Sequence, residues 1–126
     1  MGTVLVVDDD KDTCVLLAKW LQQAGHEATC VTSGGLALAH LKNGQPDVVI
    51  LDVMMPGMDG EELLKRVRDD RRIGDVPIIC YSAIDDPAFI RRVLDEGAND
   101  YWVKGSIDFT NLESRLAKYM DAERAA

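Results

Sequence analysis

Two hydrophobic periodicities alternate along the chain: short β-branched runs, each followed by apolar residues at helical spacing. Val4-Leu5-Val6-Val7 is apolar throughout, as a central parallel strand covered on both faces must be. It leads into a predicted helix with Leu16, Leu17, Trp20, Leu21 and Ala24 on one stripe, closed by Gly25. A weaker strand over Ala28 to Val31 precedes a short helix that starts near Ser33, carries Leu36, Leu38 and Leu41, and stops at Gly44. Val48-Val49-Ile50-Leu51 is the third strand, and Asp59 with Glu62 three residues on has the spacing of a capping box for the next helix. Val76 to Tyr81 is the fourth strand. Asp86-Pro87 then pairs an N-cap with proline at the first helical position, Phe89, Ile90, Val93 and Leu94 form the stripe, and Gly97 ends it. Tyr101 to Val103 makes a short fifth strand, and a last helix with Leu112, Leu116 and Met120 runs from near Asp108 to near Met120.

Strands alternating with helices, with no Pro- or Gly-rich linker and no repeat, predict one α/β domain: a parallel sheet covered on both faces. The length of 126 residues and an apolar fraction of 47 % suit a single packed core. In such sheets ligands bind beyond the carboxyl ends of the strands, so the residues just after each strand decide function.

Those residues are unusual. Asp8, Asp9 and Asp10 follow the first strand, Asp52 the third, Ser82 the fourth and Lys104 the fifth. With the first and third strands adjacent, several carboxylates converge. Two carboxylates about 4 Å apart repel by roughly 4 kcal/mol at an effective dielectric of 20, so the cluster must hold a proton, a cation or a metal. Carboxylate oxygens with no nearby His or Cys suit Mg²⁺ better than Zn²⁺, and Mg²⁺ held by so few carboxylates normally takes a phosphate as its remaining partner. Lys104 and Ser82 are the charge and the hydroxyl such a phosphoryl group needs.

Asp8-Asp9, the run from Asp52 to Gly60, Ser82-Ala83 and Lys104, in that order at four strand ends, closely resemble the receiver domain of two-component response regulators. The resemblance covers about Thr3 to about Met120. It implies a doubly wound, flavodoxin-like five-stranded parallel sheet of order 2-1-3-4-5 flanked by five helices, with the receiver over 1–122 and a short tail over 123–126. It implies that Asp52 is the nucleophile that takes a phosphoryl group from a histidine kinase or a histidine phosphotransfer protein. Asp9 would ligate Mg²⁺ directly, Asp8 through water, and the Met54 backbone carbonyl would be a further protein ligand alongside Asp52. Lys104 would pair with Asp52 and then with the phosphoryl group, Ser82 would swing to hydrogen-bond it, and Tyr101 would move inward with Ser82. The output would be a changed surface on the fourth helix, fifth strand and fifth helix, including Ile90, Val93, Tyr101 and Trp102. That surface would face a downstream protein target, an output domain or a second copy of the chain in a phosphorylation-dependent homodimer. The domain would catalyse only its own phosphorylation and dephosphorylation. Gly105 departs from the family, which usually has proline there, often after a cis bond; a cis bond before glycine costs about 2.5–4 kcal/mol, so the geometry of that loop is not carried over.

Other readings are weaker. Asp8-x-Asp10 fits the nucleophile pattern of haloacid-dehalogenase-type phosphatases, but the chain is short for that fold and its cap, and the Asp52 loop would go unexplained. A receiver-like docking module that works without phosphorylation would fit Gly105 but not the intact Asp8, Asp9, Asp52, Ser82 and Lys104. A calcium loop from Asp8 fails because Thr13 and Lys19 stand where Gly and Glu are needed. Asp10 reads as a helix start, Trp20 as core, His26 and His40 as surface or turn residues, and Met54, Met55 and Met58 as loop packing.

The charge balance, 14 basic against 22 acidic residues for a net −8, argues against direct binding to nucleic acid or an anionic membrane. No apolar run approaches the ~18–20 residues of a membrane span, and no signal peptide is visible. Cys14, Cys30 and Cys80, an odd set without CxxC spacing, read as buried thiols in a reducing compartment, so a cytoplasmic location is expected. No output domain is visible, which leaves open a single-domain regulator or part of a longer one.

Overall fold

The computed structural model describes residues 2–54, 60–105 and 109–125. The cap expected at Asp59, the helix start at Asp108, and Met55 and Met58 lie outside them. The order is β1 (Thr3–Val7), α1 (Lys11–Gln23), β2 (Glu27–Val31), α2 (Gly34–Asn43), β3 (Val48–Leu51), α3 (Gly60–Asp69), β4 (Ile78–Ser82), α4 (Pro87–Asp95), β5 (Asp100–Val103) and α5 (Phe109–Ala125). All pairings are parallel and the strand order is β2-β1-β3-β4-β5, the doubly wound, flavodoxin-like arrangement.

Local chemistry sets the helix starts. Asp10, Ser33 and Asp86 each accept a backbone N–H two or three residues on, and Pro87 opens α4 where an N–H would have no intrahelical partner. The strands alternate between two cores, as a side-chain period of two requires. Val4, Val6, Val48, Ile50, Ile79 and Trp102 pack under α1 and α5, against Leu17, Leu21, Leu112, Leu116 and Met120. Leu5, Val7, Val49, Leu51, Ile78, Cys80 and Tyr101 pack under α2, α3 and α4, against Ala37, Leu41, Leu63, Leu64, Val67 and Val93.

Several expectations are corrected. Leu16 is 61 % exposed and Leu36 is also exposed; the buried stripe of α1 is Cys14, Leu17, Ala18 and Leu21, and that of α2 is Gly34, Ala37 and Leu41. Leu94 is exposed as well. β4 begins at Ile78: the Val76 amide still donates to Ile73 O in the preceding turn, and Pro77 meets β3 through its carbonyl, which accepts from the Val49 amide. The last helix continues past Met120 to Ala125. Trp102 does not reach the surface: at 1 % exposure it is a core residue under α5, and Val93 and Tyr101 are buried on the opposite side of the sheet. Cys14 and Cys30 are not thiols but a disulfide joining the first turn of α1 to β2, with Cα atoms 5.8 Å apart. The crossover that returns α1 over β1 and β2 brings them together, which no short spacing in the sequence signals. Cys80 is free and buried, as expected. Among the described residues no helix is long and apolar enough to cross a membrane.

Candidate functional site

The ladder register builds the site. Val7 is level with Leu51, so the next residues, Asp8 and Asp52, emerge side by side. The parallel hydrogen bonding runs on past the strand ends: the Asp8 amide donates to Val31 O (3.1 Å), Asp52 to Val7 O (2.9 Å) and Lys104 to Ser82 O (2.8 Å). The backbones of all three are therefore fixed by the sheet. Strand alternation places Asp8, Asp52 and Lys104 on the α1/α5 side, and Ser82 and Tyr101 on the α3/α4 side.

Lys104 Nζ bridges the two buried carboxylates, donating to Asp8 Oδ2 at 2.8 Å and to Asp52 Oδ2 at 3.1 Å. The other oxygens are also held: Asp8 Oδ1 accepts from the Asp10 amide and Asp52 Oδ1 from the Met54 amide, at 2.9 and 3.0 Å. Both carboxylates are thus fixed in orientation. Lys104 was expected on Asp52; it is shared, and its shorter contact is to Asp8. Burial raises the Asp52 carboxyl above the usual carboxylate range, against the Met54 amide and the Lys104 charge, which favour the ionised form. Burial alone would lower the Lys104 ammonium, but the Asp8 hydrogen bond and the Asp52 charge outweigh it and hold it above its ordinary value.

Asp9 is exposed at the mouth, and ligand oxygens of Asp8, Asp9 and Asp52 all lie within 4.8 Å of one another. Three carboxylates against one ammonium leave an excess of negative charge. A hard divalent cation fits that donor set, and exposed Asp9 leaves it a way in. Asp10 stands apart: its carboxylate caps α1, accepting from the Asp12 amide and the Thr13 hydroxyl.

Ser82 is buried and turned to its own side, with Oγ accepting from the Ile84 amide at 3.3 Å and within reach of the Tyr101 phenol. Tyr101 is already inward, its hydroxyl donating to Ile84 O at 2.8 Å, and burial pushes its phenol above the usual value. Gly60 explains how α3 can start beside Asp52: a Cβ there would collide with the Asp52 carbonyl oxygen and Val53 Cα. Gly105 follows Lys104 at φ +86° in an open turn, and no cis peptide occurs among the described residues.

The family model for the response regulator receiver domain matches residues 4–117. The chain belongs to the receiver-domain family. Receiver relatives include the transcriptional regulatory protein AfsQ1 of Streptomyces coelicolor, 36 % identical over 82 % of this chain and 45 % of its own length. The rice two-component response regulator ORR6 is 38 % identical over 80 % of this chain and 61 % of its own. The chain spans between 25 % and 61 % of the curated relatives named here and the response regulator PleD of Caulobacter vibrioides. Among solved structures, chemotaxis protein CheY4 of Vibrio cholerae superposes with a TM-score of 0.86 at 31 % identity, covering 94 % of this chain and 98 % of that one. The Francisella response regulator 1452 receiver domain gives a TM-score of 0.88 at 29 % identity, covering 98 % and 99 %.

Sequence reasoning named the carboxylates and Lys104 of this receiver, but missed Tyr81. The Lys104 ammonium lies 5.6 Å from the centroid of its ring. The signal was present: Tyr81, one residue before Ser82, falls by alternation on the same side of the sheet as Lys104.

Proposed function

We propose that this receiver accepts a phosphoryl group on Asp52, from a phosphohistidine of a histidine kinase or phosphotransfer protein, and thereby switches a protein-binding surface. The observation that carries this is the Lys104 ammonium bridging Asp8 and Asp52 at the mouth of a carboxylate cluster. Asp8, Asp9, Asp52 and the Met54 carbonyl would hold Mg²⁺, which when bound neutralises charge on the phosphoryl oxygens. Lys104 and the Met54 amide favour the ionised form of Asp52 against its burial and orient the carboxylate for attack on phosphorus. As the new P–O bond forms and the donor's P–N bond breaks, Lys104 remains anchored on Asp8 and is placed to meet the added negative charge. Ser82, released from the Ile84 amide, supplies a hydroxyl, while Tyr101, already inward, keeps its hold on the Ile84 carbonyl. The chemistry is confined to Asp52 of the same molecule; the protein is a switch and not a turnover enzyme.

The output face is α4, β5 and α5. Ile90 contributes to it with Leu94, Pro87, Arg91 and Asp95, which line an open depression on α4; Tyr101 and Trp102 would act from beneath. A downstream protein, an output domain or a second copy would bind there, in the cytoplasm where the kinase presents its phosphohistidine. We assign the receiver unit to residues 1–122 and the tail to 123–126, although α5 itself runs on to Ala125.

Asp52→Asn and Asp8→Asn separate this reading from an Asp8-nucleophile phosphatase. On incubation with acetyl phosphate and Mg²⁺, Asp52→Asn is expected to gain no acyl phosphate while Asp8→Asn gains it slowly; the reverse would overturn the assignment. Exposed Met54 and half-buried Ile84 flank the site with side chains that cannot orient an attacking water. The phosphoryl group is therefore expected to be long-lived; a half-life of seconds with Mg²⁺ present would contradict this.

A further inference from the structure

We propose that Tyr81 is a positioning residue for Lys104: the face of its ring carries the ammonium shared between Asp8 and Asp52. The inference rests on the receiver reading above and adds to it a residue that reading does not use. Among the described residues two carboxylates hold the Lys104 tip, at 2.8 and 3.1 Å, and one of them is the group to be modified. Gly105, the next residue, turns at φ +86° with nothing within 4 Å of where a Cβ would stand. The Tyr81 ring supplies a wall beside that tip. It is half-buried, packs against the core under α1 and α5, and sits level with Trp102 in the β4–β5 ladder. Its position is fixed by the sheet, and the ammonium lies 5.6 Å from its centroid, within the range of cation–π attraction. An aromatic face attracts the ammonium without competing for its N–H donors, so Lys104 stays directed at the carboxylates. The ring has no part in bond making; it restricts where Lys104 can go when Asp52 changes charge.

The test compares the full chain with Tyr81→Phe, Tyr81→Leu, Lys104→Met and the Tyr81→Leu/Lys104→Met double variant, each checked for a cooperative melt. The first readout needs no phosphorylation: the Lys104 Hε protons, seen by NMR, should be shifted upfield by the ring in the wild type and in Tyr81→Phe, and return to ordinary values in Tyr81→Leu. The second is the rate of Asp52 phosphorylation by acetyl phosphate with Mg²⁺. Tyr81→Phe should stay within about twofold of wild type, and Tyr81→Leu should be about fivefold slower, as a contact worth about one decade or less predicts. In the Lys104→Met background, Tyr81→Leu should slow the reaction no further. Absence of the upfield shift in the wild type would overturn the proposal while leaving the receiver reading intact. So would a Tyr81→Phe rate as low as that of Tyr81→Leu, or an equal loss in the Lys104→Met background. A wild type that takes up no phosphoryl group, yet shows the shift, would instead overturn the receiver reading and the catalytic role built on it.

Discussion

Asp52 is a carboxylate that the fold would hold more comfortably as a neutral group, since burial raises its pKa despite Lys104 and the Met54 amide. The sign follows by linkage. A folded pKa above the unfolded one means that stability is whole below the unfolded value near 3.8 and drains as pH rises through the folded value. At neutral pH the ionised group is a cost kept for chemistry. Asp52→Asn is therefore expected to melt a few degrees above the wild type at pH 7 and level with it near pH 3, because Lys104 keeps Asp8; calorimetry at the two pH values checks this. A lower melting temperature at pH 7 would contradict it. Cys80 shows the same direction more strongly. Burial, with the Asp52 charge behind it, pushes its thiol from 9.0 up to about 12. Iodoacetamide should leave it untouched in the native protein at pH 9 and label it in denaturant, and the wild type should lose more stability than Cys80→Ala as pH rises from 9 toward 12.

At the scale of elements, the strands were legible and the helix faces less so. Val4 to Val7 and Val48 to Leu51 are apolar runs that admit little other than buried strands, and both strands appear where the pattern put them. In α1, Cys14 to Ala18 are apolar without a break, so periodicity cannot choose a face; contact with β1 and β2 turns Leu17 and Leu21 inward and leaves Leu16 in water. Trp102 was misplaced for a related reason. The short run from Tyr101 to Val103 looks exposed, and β5 is an edge strand in the ladder, but α5 covers the side on which Trp102 stands. The Cys14–Cys30 bond was invisible because it joins elements that only the crossover brings together. It closes a loop with a sequence separation of 16. Closing a loop of about 15 residues is worth about 3 kcal/mol, so reduction, or Cys14→Ala with Cys30→Ala, should lower the unfolding free energy by roughly that amount in urea titrations. No change on reduction would show that the bond does not staple α1 to β2.

For the whole molecule, the site is a product of topology. Residues as far apart as Asp8 and Lys104 meet because a parallel sheet delivers all its carboxyl ends to one edge, so strand ends in sequence order sufficed to name the carboxylates and the lysine. What strand ends do not reveal is side-chain engagement across the ladder: that Lys104 leans on Asp8 as much as on Asp52, that Ser82 and Tyr101 meet at Ile84, and that Tyr81 flanks the lysine. These depend on which side of each strand faces which neighbour. The central claim, phosphoryl acceptance on Asp52, is tested most directly by the intact mass of the full chain after incubation with acetyl phosphate, with and without Mg²⁺, beside Asp52→Asn. A gain of one phosphoryl group that requires both Mg²⁺ and Asp52 is the expected result. An equal gain in Asp52→Asn, or no gain in a folded wild type offered both acetyl phosphate and a phosphohistidine donor, would contradict it.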